Sequence, residues 1–193
     1  MDQRLAFDVA LDAAMACCER WGLSKVSIDD IAAEAGLSRA TMYRLFPGGK
    51  DTLFENLRQR NTNQFFAELR RQVGDADDFE DLLVRVVVAA THGLRTDEHL
   101  AVMLAAEPGV VTSELSVAAL PRIINAATTF LAPLVAPYID AQQARPLADL
   151  LARLVISYFL APSDVVDLGD AGAATVFVRA HVLPFALANP IRS

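Results

Sequence analysis

The sequence predicts an all-α fold in two parts: a three-helix domain over residues 1–50 and a larger helical domain over residues 51–193. Three observations predict it. Apolar residues recur three and four apart along most of the chain, the period of a helix face. No Asn-Gly or Asp-Gly pair sits between alternating apolar and polar runs, so hairpin signals are missing. Glycines and prolines fall at the ends of the periodic stretches, where helices start and stop.

The elements follow in order. A first helix is expected from about Leu5 to Trp21, with Gly22 as its stop. A second, short helix covers about Ile28 to Ala35 and stops at Gly36. A third covers about Arg39 to Leu45 and stops near Pro47-Gly48-Gly49. A long fourth helix begins near Lys50 and ends at Val73-Gly74. Asp75, Asp77 and Asp78 make an acidic start for a fifth, which suits the positive end of a helix dipole. That helix carries Phe79, Leu82, Leu83, Val86, Val87 and Ala90 on one face and Val84 and Val88 on others, so it is expected at the centre of its domain. Short helical pieces are expected from about Asp97 to Ala106 and again before Pro121. Pro121 suits the first turn of a helix that runs to about Pro137. Two further helices are expected, from about Pro146 to Leu160 and from about Ala171 to Ala188.

Composition narrows the class. The 193 residues are 53% hydrophobic with a mean hydropathy of +0.31, too apolar for a disordered chain. The same surplus suggests that some surface is covered by a second copy. Cys17 and Cys18 are adjacent and cannot build a disulfide framework, which fits a reducing cytoplasm. The start, Met1-Asp2-Gln3-Arg4, lacks a basic stretch leading into an apolar core, so no signal peptide is expected. The uncharged run from Ile123 to Ile139 contains Asn125, two threonines and two prolines, and reads as a buried helix rather than a membrane span. The net charge is −7. Against that background Gly36 to Lys50 holds Arg39, Arg44 and Lys50 and no acid, a local site for something anionic.

The window from Ser27 to Phe46 reads as two short helices joined by a glycine turn. Ser27 and Asp30 form a capping-box-like start, with Asp where Glu or Gln is preferred. Gly36 can take the positive φ of a sharp turn, Leu37 plugs the corner and Ser38 can cap the next helix. Met42, Leu45 and Phe46 would form the buried face of that helix. Arg39, Ala40, Thr41, Tyr43 and Arg44 are left facing outward. Such a face suits the DNA major groove: Arg can bond guanine O6 and N7, the Thr methyl can touch a thymine methyl, and Tyr can donate to phosphate.

Ala13-Ala14 to Gly22, the run from Ser27 to Ser38, and Thr41-Met42-Tyr43-Arg44-Leu45-Phe46 together resemble the N-terminal region of the TetR family of transcriptional regulators. The resemblance covers about Leu5 to Leu57. It implies a helix-turn-helix domain, a C-terminal helical ligand-binding and dimerisation domain, and a homodimer. It also implies that Ser27, Ser38, Arg39, Thr41, Tyr43, Arg44 and Lys50 fall on DNA-contacting positions, by base edge or phosphate. The run Phe46-Pro47-Gly48-Gly49-Lys50-Asp51 is one residue longer than is usual in that family.

Other chemistries find little support. Gly48-Gly49-Lys50 lacks the upstream glycine of a phosphate loop, and Asp51 stands where Ser or Thr is needed. No G-x-S-x-G, HExxH or paired-Cys motif appears, so neither an enzyme nor a metal or other cofactor is expected. His92 and His99 lack a partner at ligand spacing. Cys17 and Cys18 read as core packing on an amphipathic helix. His92, Met103, Phe130 and Tyr158 are candidates to line a cavity for a small-molecule effector, against the plainer reading of such residues as core. The last two helices are expected to form a two-fold dimer interface through Leu151, Val155, Val176, Phe177, Ala180, Leu183 and Leu187, because the final helix carries two apolar stripes and needs two partners. The expected function is a cytoplasmic, sequence-specific DNA-binding regulator. It would be a repressor that reads a near-palindromic operator as a dimer and is released by a small ligand. The alternative is a helical ligand-binding or interaction protein with no DNA role.

Overall fold

The computed structural model describes residues 2–96 and 120–188. Among these every regular element is helical, and they fall into two compact units, residues 2–64 and residues 65–96 with 120–188. The boundary falls after Gln64 rather than at residue 50. Leu53, Phe54 and Leu57 are buried in the N-terminal core, so the start of the fourth helix belongs to that unit.

The N-terminal unit holds α1 (Gln3–Trp21), α2 (Ile28–Glu34), α3 (Arg39–Leu45) and the first part of α4 (Lys50–Val73). α1 is capped by Asp2, whose carboxylate accepts from the Arg4 N–H, and it ends at Gly22 with φ +82°. The core is formed by Ala10, Leu11, Ala14, Ile31, Met42, Phe46, Leu53 and Leu57, with Cys17 and Cys18 buried among them. Burial pushes the Cys18 thiol up to about 11 and raises that of Cys17. Thiolate chemistry is thereby suppressed, in keeping with the packing role expected of both.

The second unit holds the rest of α4, α5 (Phe79–Thr96), α6 (Leu120–Val135), α7 (Ala141–Leu160), α8 (Ala171–Phe177) and α9 (Leu183–Leu187), with a π-helical turn over Val178–Val182. α5 packs on α7, α8 and the π turn, which confirms its central place. α6 and α7 pack against each other most extensively. Two boundaries differ from expectation. α7 begins at Ala141 and carries Pro146 inside it, because Asp140 caps the helix by accepting from the Gln142 N–H at 2.7 Å. The proline leaves only the exposed Gln142 carbonyl without its helical donor, and solvent can serve it. The final helix is not uniform. Pro184 supplies no N–H, and in α geometry its ring would strike the Ala180 carbonyl. The chain widens into the π turn just before it, where the Leu183 N–H donates to the Val178 carbonyl. The expected pieces at Asp97–Ala106 and before Pro121 lie largely outside the described residues. Among those described, no helix is long and apolar enough to cross a membrane.

Candidate nucleic-acid interface

The reading surface is built from two caps and one turn. At α2 the capping box is complete. Asp30 N–H donates to Ser27 Oγ at 3.2 Å, and Ser27 N–H donates to Asp30 Oδ2 at 2.9 Å. The shorter Asp side chain closes the box because the Ser27 hydroxyl also donates to it, at 2.6 Å. These bonds, the hydroxyl's first, hold the Asp30 carboxyl below the usual carboxylate range. They also reassign Ser27. A phosphate can only accept, and the single Ser27 O–H is already directed at Asp30, so Ser27 serves as a cap rather than a phosphate donor.

Gly36 then turns the chain at φ +64°, in the left-handed region where a side chain is strained. Leu37 N–H donates back to the Ala32 carbonyl and fixes the corner. Ser38 caps α3, with its Oγ accepting from Thr41 N–H at 3.1 Å and lying 2.9 Å from Thr41 Oγ1. One hydroxyl proton bridges that pair, which leaves the other free for DNA. Met42 and Phe46 are fully buried below, Leu45 is half-buried, and Phe46 stacks on Phe7 with ring centroids 5.0 Å apart.

The outward side of α3 holds Arg39, Ala40, Tyr43 and Arg44, all exposed, with Thr41 half-buried. Tyr43 is 41% exposed and Arg39 lies over its ring at 5.6 Å. Arg44 has no ion pair among the described residues and borders an open groove of about 500 Å³ with Gln3, Ala6, Leu37, Thr41 and Leu45. Arg39 donates to Asp29 Oδ2 at 2.6 Å. Sequence reasoning missed Asp29 and Gln3. For Asp29 the signal was available, as the one opposite charge facing Arg39 from across the glycine turn.

Lys50 is anchored within the unit. Its ammonium donates to the Leu23 carbonyl at 3.0 Å and sits 5.6 Å from the centre of the Phe54 ring. The longer Pro47-Gly48-Gly49 turn brings Lys50 into the first turn of α4, where one of its donors fastens the α1–α2 loop. A Cβ at Gly48 would lie 2.0 Å from Thr52 Oγ1, so the Thr52 side chain would have to turn aside for any larger residue.

A capped helix, a left-handed glycine turn, a second capped helix and an exposed Thr-x-Tyr-Arg face are now in place together. Residues 10–57 match the family model described as bacterial regulatory proteins, tetR family. Over these residues the chain carries the tetR-family domain. It is 29% identical over 174 residues to an uncharacterized HTH-type transcriptional regulator of Mycobacterium bovis, covering 88% of this chain and 89% of that protein. The TetR family repressor AlkX of a Dietzia strain, implicated in biodegradation of n-alkanes, is 25% identical. It aligns over 89% of this chain and 92% of its own, with a TM-score of 0.61. A TetR-family regulator of Pectobacterium atrosepticum shares the fold at 18% identity, with a TM-score of 0.62 and 97% of each chain covered. The protein is accordingly a DNA-binding transcriptional regulator, and TetR-family regulators act as dimers on DNA operators.

The residues expected in the second unit are placed as follows. Leu151 and Val155 are 0% and 5% exposed within the unit's own core, so they are set aside as interface residues. The stripe that the last helices turn inward is Ala174, Val178, Val182 and Ala186. Neither expected stripe takes that place. Val176 at 70% and Leu187 at 52% stand in solvent, Ala180 is exposed, and Phe177 and Leu183 are half-buried. Among the effector candidates, Phe130 is buried in the core and stacked on Phe66 at 4.8 Å, which makes it a packing residue. Tyr158 lies edge-on to Phe177 at 5.7 Å and His92 is exposed. Met103 lies outside the described residues.

Proposed function

We propose that this protein is a TetR-family repressor that reads a near-palindromic operator through α3 and is released by a small molecule bound in the second unit. The observation that carries the reading is the outward face of α3: an unpaired Arg44, a phenol at Tyr43 and the Ser38–Thr41 hydroxyl pair on a helix whose other side is locked into the core. Arg44 offers the fork that matches guanine, and Tyr43 offers a phosphate donor. Two copies related by a two-fold axis would present two such helices to half-sites spaced by whole helical turns. The exposed Val176, Ala180 and Leu187, flanked by Phe177 and Leu183, are the surface we assign to that pairing. A ligand acts only through its differential affinity for the form whose reading heads are wrongly spaced.

The test is a gel-shift titration against DNA flanking the protein's own gene at two salt concentrations. Arg44→Ala should weaken operator binding by about 1–3 kcal/mol and relax base preference. Tyr43→Phe should weaken binding to all duplexes about equally. Operator binding that is unchanged in both variants removes α3 as the reader.

A further inference from the structure

The two helices of the motif share one ion pair across the glycine turn. Arg39 Nη1 lies 2.6 Å from Asp29 Oδ2, with the two side chains 65% and 54% exposed. The same guanidinium covers the Tyr43 ring. An ion pair this exposed contributes little to stability, so the fold itself gives weak reason for a carboxylate there. For a surface that must approach phosphates, the carboxylate is also a repulsive charge.

We propose that Asp29 is a specificity-determining residue that acts through Arg39. In the free protein the carboxylate holds the guanidinium in one orientation over Tyr43 and offsets its charge. Phosphates anywhere on a duplex then gain less from Arg39 than from a free arginine. The guanidinium has five N–H donors in a fixed fork, and those not turned to Asp29 stay available to a base edge with acceptors in the matching place. Asp29 thus lowers indiscriminate binding while presenting Arg39 ready-oriented to its proper site. This rests on the reading of α3 as the DNA reader.

The experiment uses the full-length protein, the duplex that the parent enriches from a random pool, and a scrambled duplex of equal length, each between 50 and 200 mM salt. Asp29→Asn keeps the shape and removes the charge. It should bind the scrambled duplex more tightly at 50 mM. Its log–log salt slope should steepen by about 0.9, the effect of one more phosphate contact and about threefold in affinity across that range. The ratio of enriched to scrambled affinity should fall at least as much. In an Arg39→Ala background the same substitution should change neither quantity. A parental ratio and slope in Asp29→Asn overturns the proposal. So does an equal gain in the Arg39→Ala background, which would make the carboxylate a plain repulsive charge. Parental affinity of Arg44→Ala for the enriched duplex overturns the underlying reading of α3 instead.

Discussion

The N-terminal core sets small residues, Ala10, Ala13, Ala14, Cys17, Cys18 and Ala32, among larger ones such as Leu11, Ile31, Met42 and Phe46, whereas the second core is built mainly from leucines and valines such as Leu82, Leu83, Val86, Leu147 and Leu151. Small residues let short helices approach closely, and the helix ends add to what the larger side chains dictate about direction. That addition comes from Ser27 and Ser38 as caps and from Gly22 and Gly36 as left-handed turns. In the second unit the helices are mostly longer and side-chain stripes set their orientation. The surfaces differ in the same sense. The first unit shows cations, hydroxyls and a phenol to solvent beside Leu5 and Trp21, while the second leaves more apolar side chains exposed, among them Val165, Val176, Phe185 and Leu187. One unit therefore carries its specificity in turn chemistry and the other in packing.

The most damaging way to probe this contrast is to truncate a fully buried large residue in each core. Phe46→Ala removes the ring stacked on Phe7 and should cost about 3–5 kcal/mol; Leu151→Ala should cost about 2–5 kcal/mol. Denaturant unfolding reads both. A loss below about 1 kcal/mol for Phe46→Ala would mean that the N-terminal core collapses around the gap, leaving the helix ends as the main source of direction in that unit.

The exposed apolar surface offers the next test. Val176→Glu and Leu187→Glu alter side chains that touch solvent in the single chain, so each should leave its stability within about 0.5 kcal/mol. Sedimentation should nonetheless show monomers, because two like charges would meet near the two-fold axis without water, and operator affinity should collapse with every reading residue intact. Folded dimers in both variants would move the interface elsewhere.

The same contrast explains what could be read from the sequence. α1 to α4 fall within two residues of their expected limits, because capping serines, glycines of positive φ and the Pro47-Gly48-Gly49 break have local causes that a sequence displays. The second unit yielded its helices and the inward face of α5, but not the inward face of the last helices. The inward stripe Ala174, Val178, Val182 and Ala186 repeats at every fourth residue, a step longer than the α-helical period, because the π turn forced by Pro184 shifts the phase. An unbroken 3.6-residue period therefore leaves this inward stripe off both apolar stripes of the last helix. In the reading surface, the roles of Lys50 and Ser27 were hidden for another reason. The Ser27 hydroxyl is directed at Asp30 and one of the three Lys50 donors at the Leu23 carbonyl, groups whose proximity depends on how the loops close.

Smaller effects should come from the helix ends. A Cβ added at Gly36, where φ is +64°, would meet no heavy atom within 4 Å, so Gly36→Val carries only the backbone penalty, about 1–2 kcal/mol. Ser27→Ala loses the cap of α2 and should cost about 0.5–2 kcal/mol. Both should weaken DNA binding by misplacing a helix without removing a contact. Parental melting and binding for Gly36→Val would remove the left-handed turn as the element that sets the angle between α2 and α3.

The smallest effect separates two carboxylates whose acidity is enhanced by different means. Asp30 is held low by the hydroxyl of Ser27 and then its backbone N–H, both neutral donors. Glu68, on the part of α4 in the second unit, is held at about 2 by the Arg71 guanidinium and then by Gln72. In both cases the folded value lies below the unfolded one. The stability each contributes is thus fully present above the unfolded value, about 3.9 for Asp and 4.3 for Glu, and is lost as pH falls through the folded value. For Glu68 that window runs from about pH 4 to about 2. Both groups are exposed, so the gain is small and solvent screens the charged pair. Salt therefore distinguishes them. Raising ionic strength should move the Glu68 midpoint upward, because its chief partner is a cation, and should leave Asp30 nearly fixed. Arg71→Ala should return Glu68 most of the way to an ordinary glutamate. Ser27→Ala should raise Asp30 only in part, since the backbone N–H remains. Carboxyl-detected NMR titration reads all four midpoints. An Asp30 midpoint that climbs with salt as steeply as that of Glu68 would show that charge, and not the cap, sets the acidity at the start of α2.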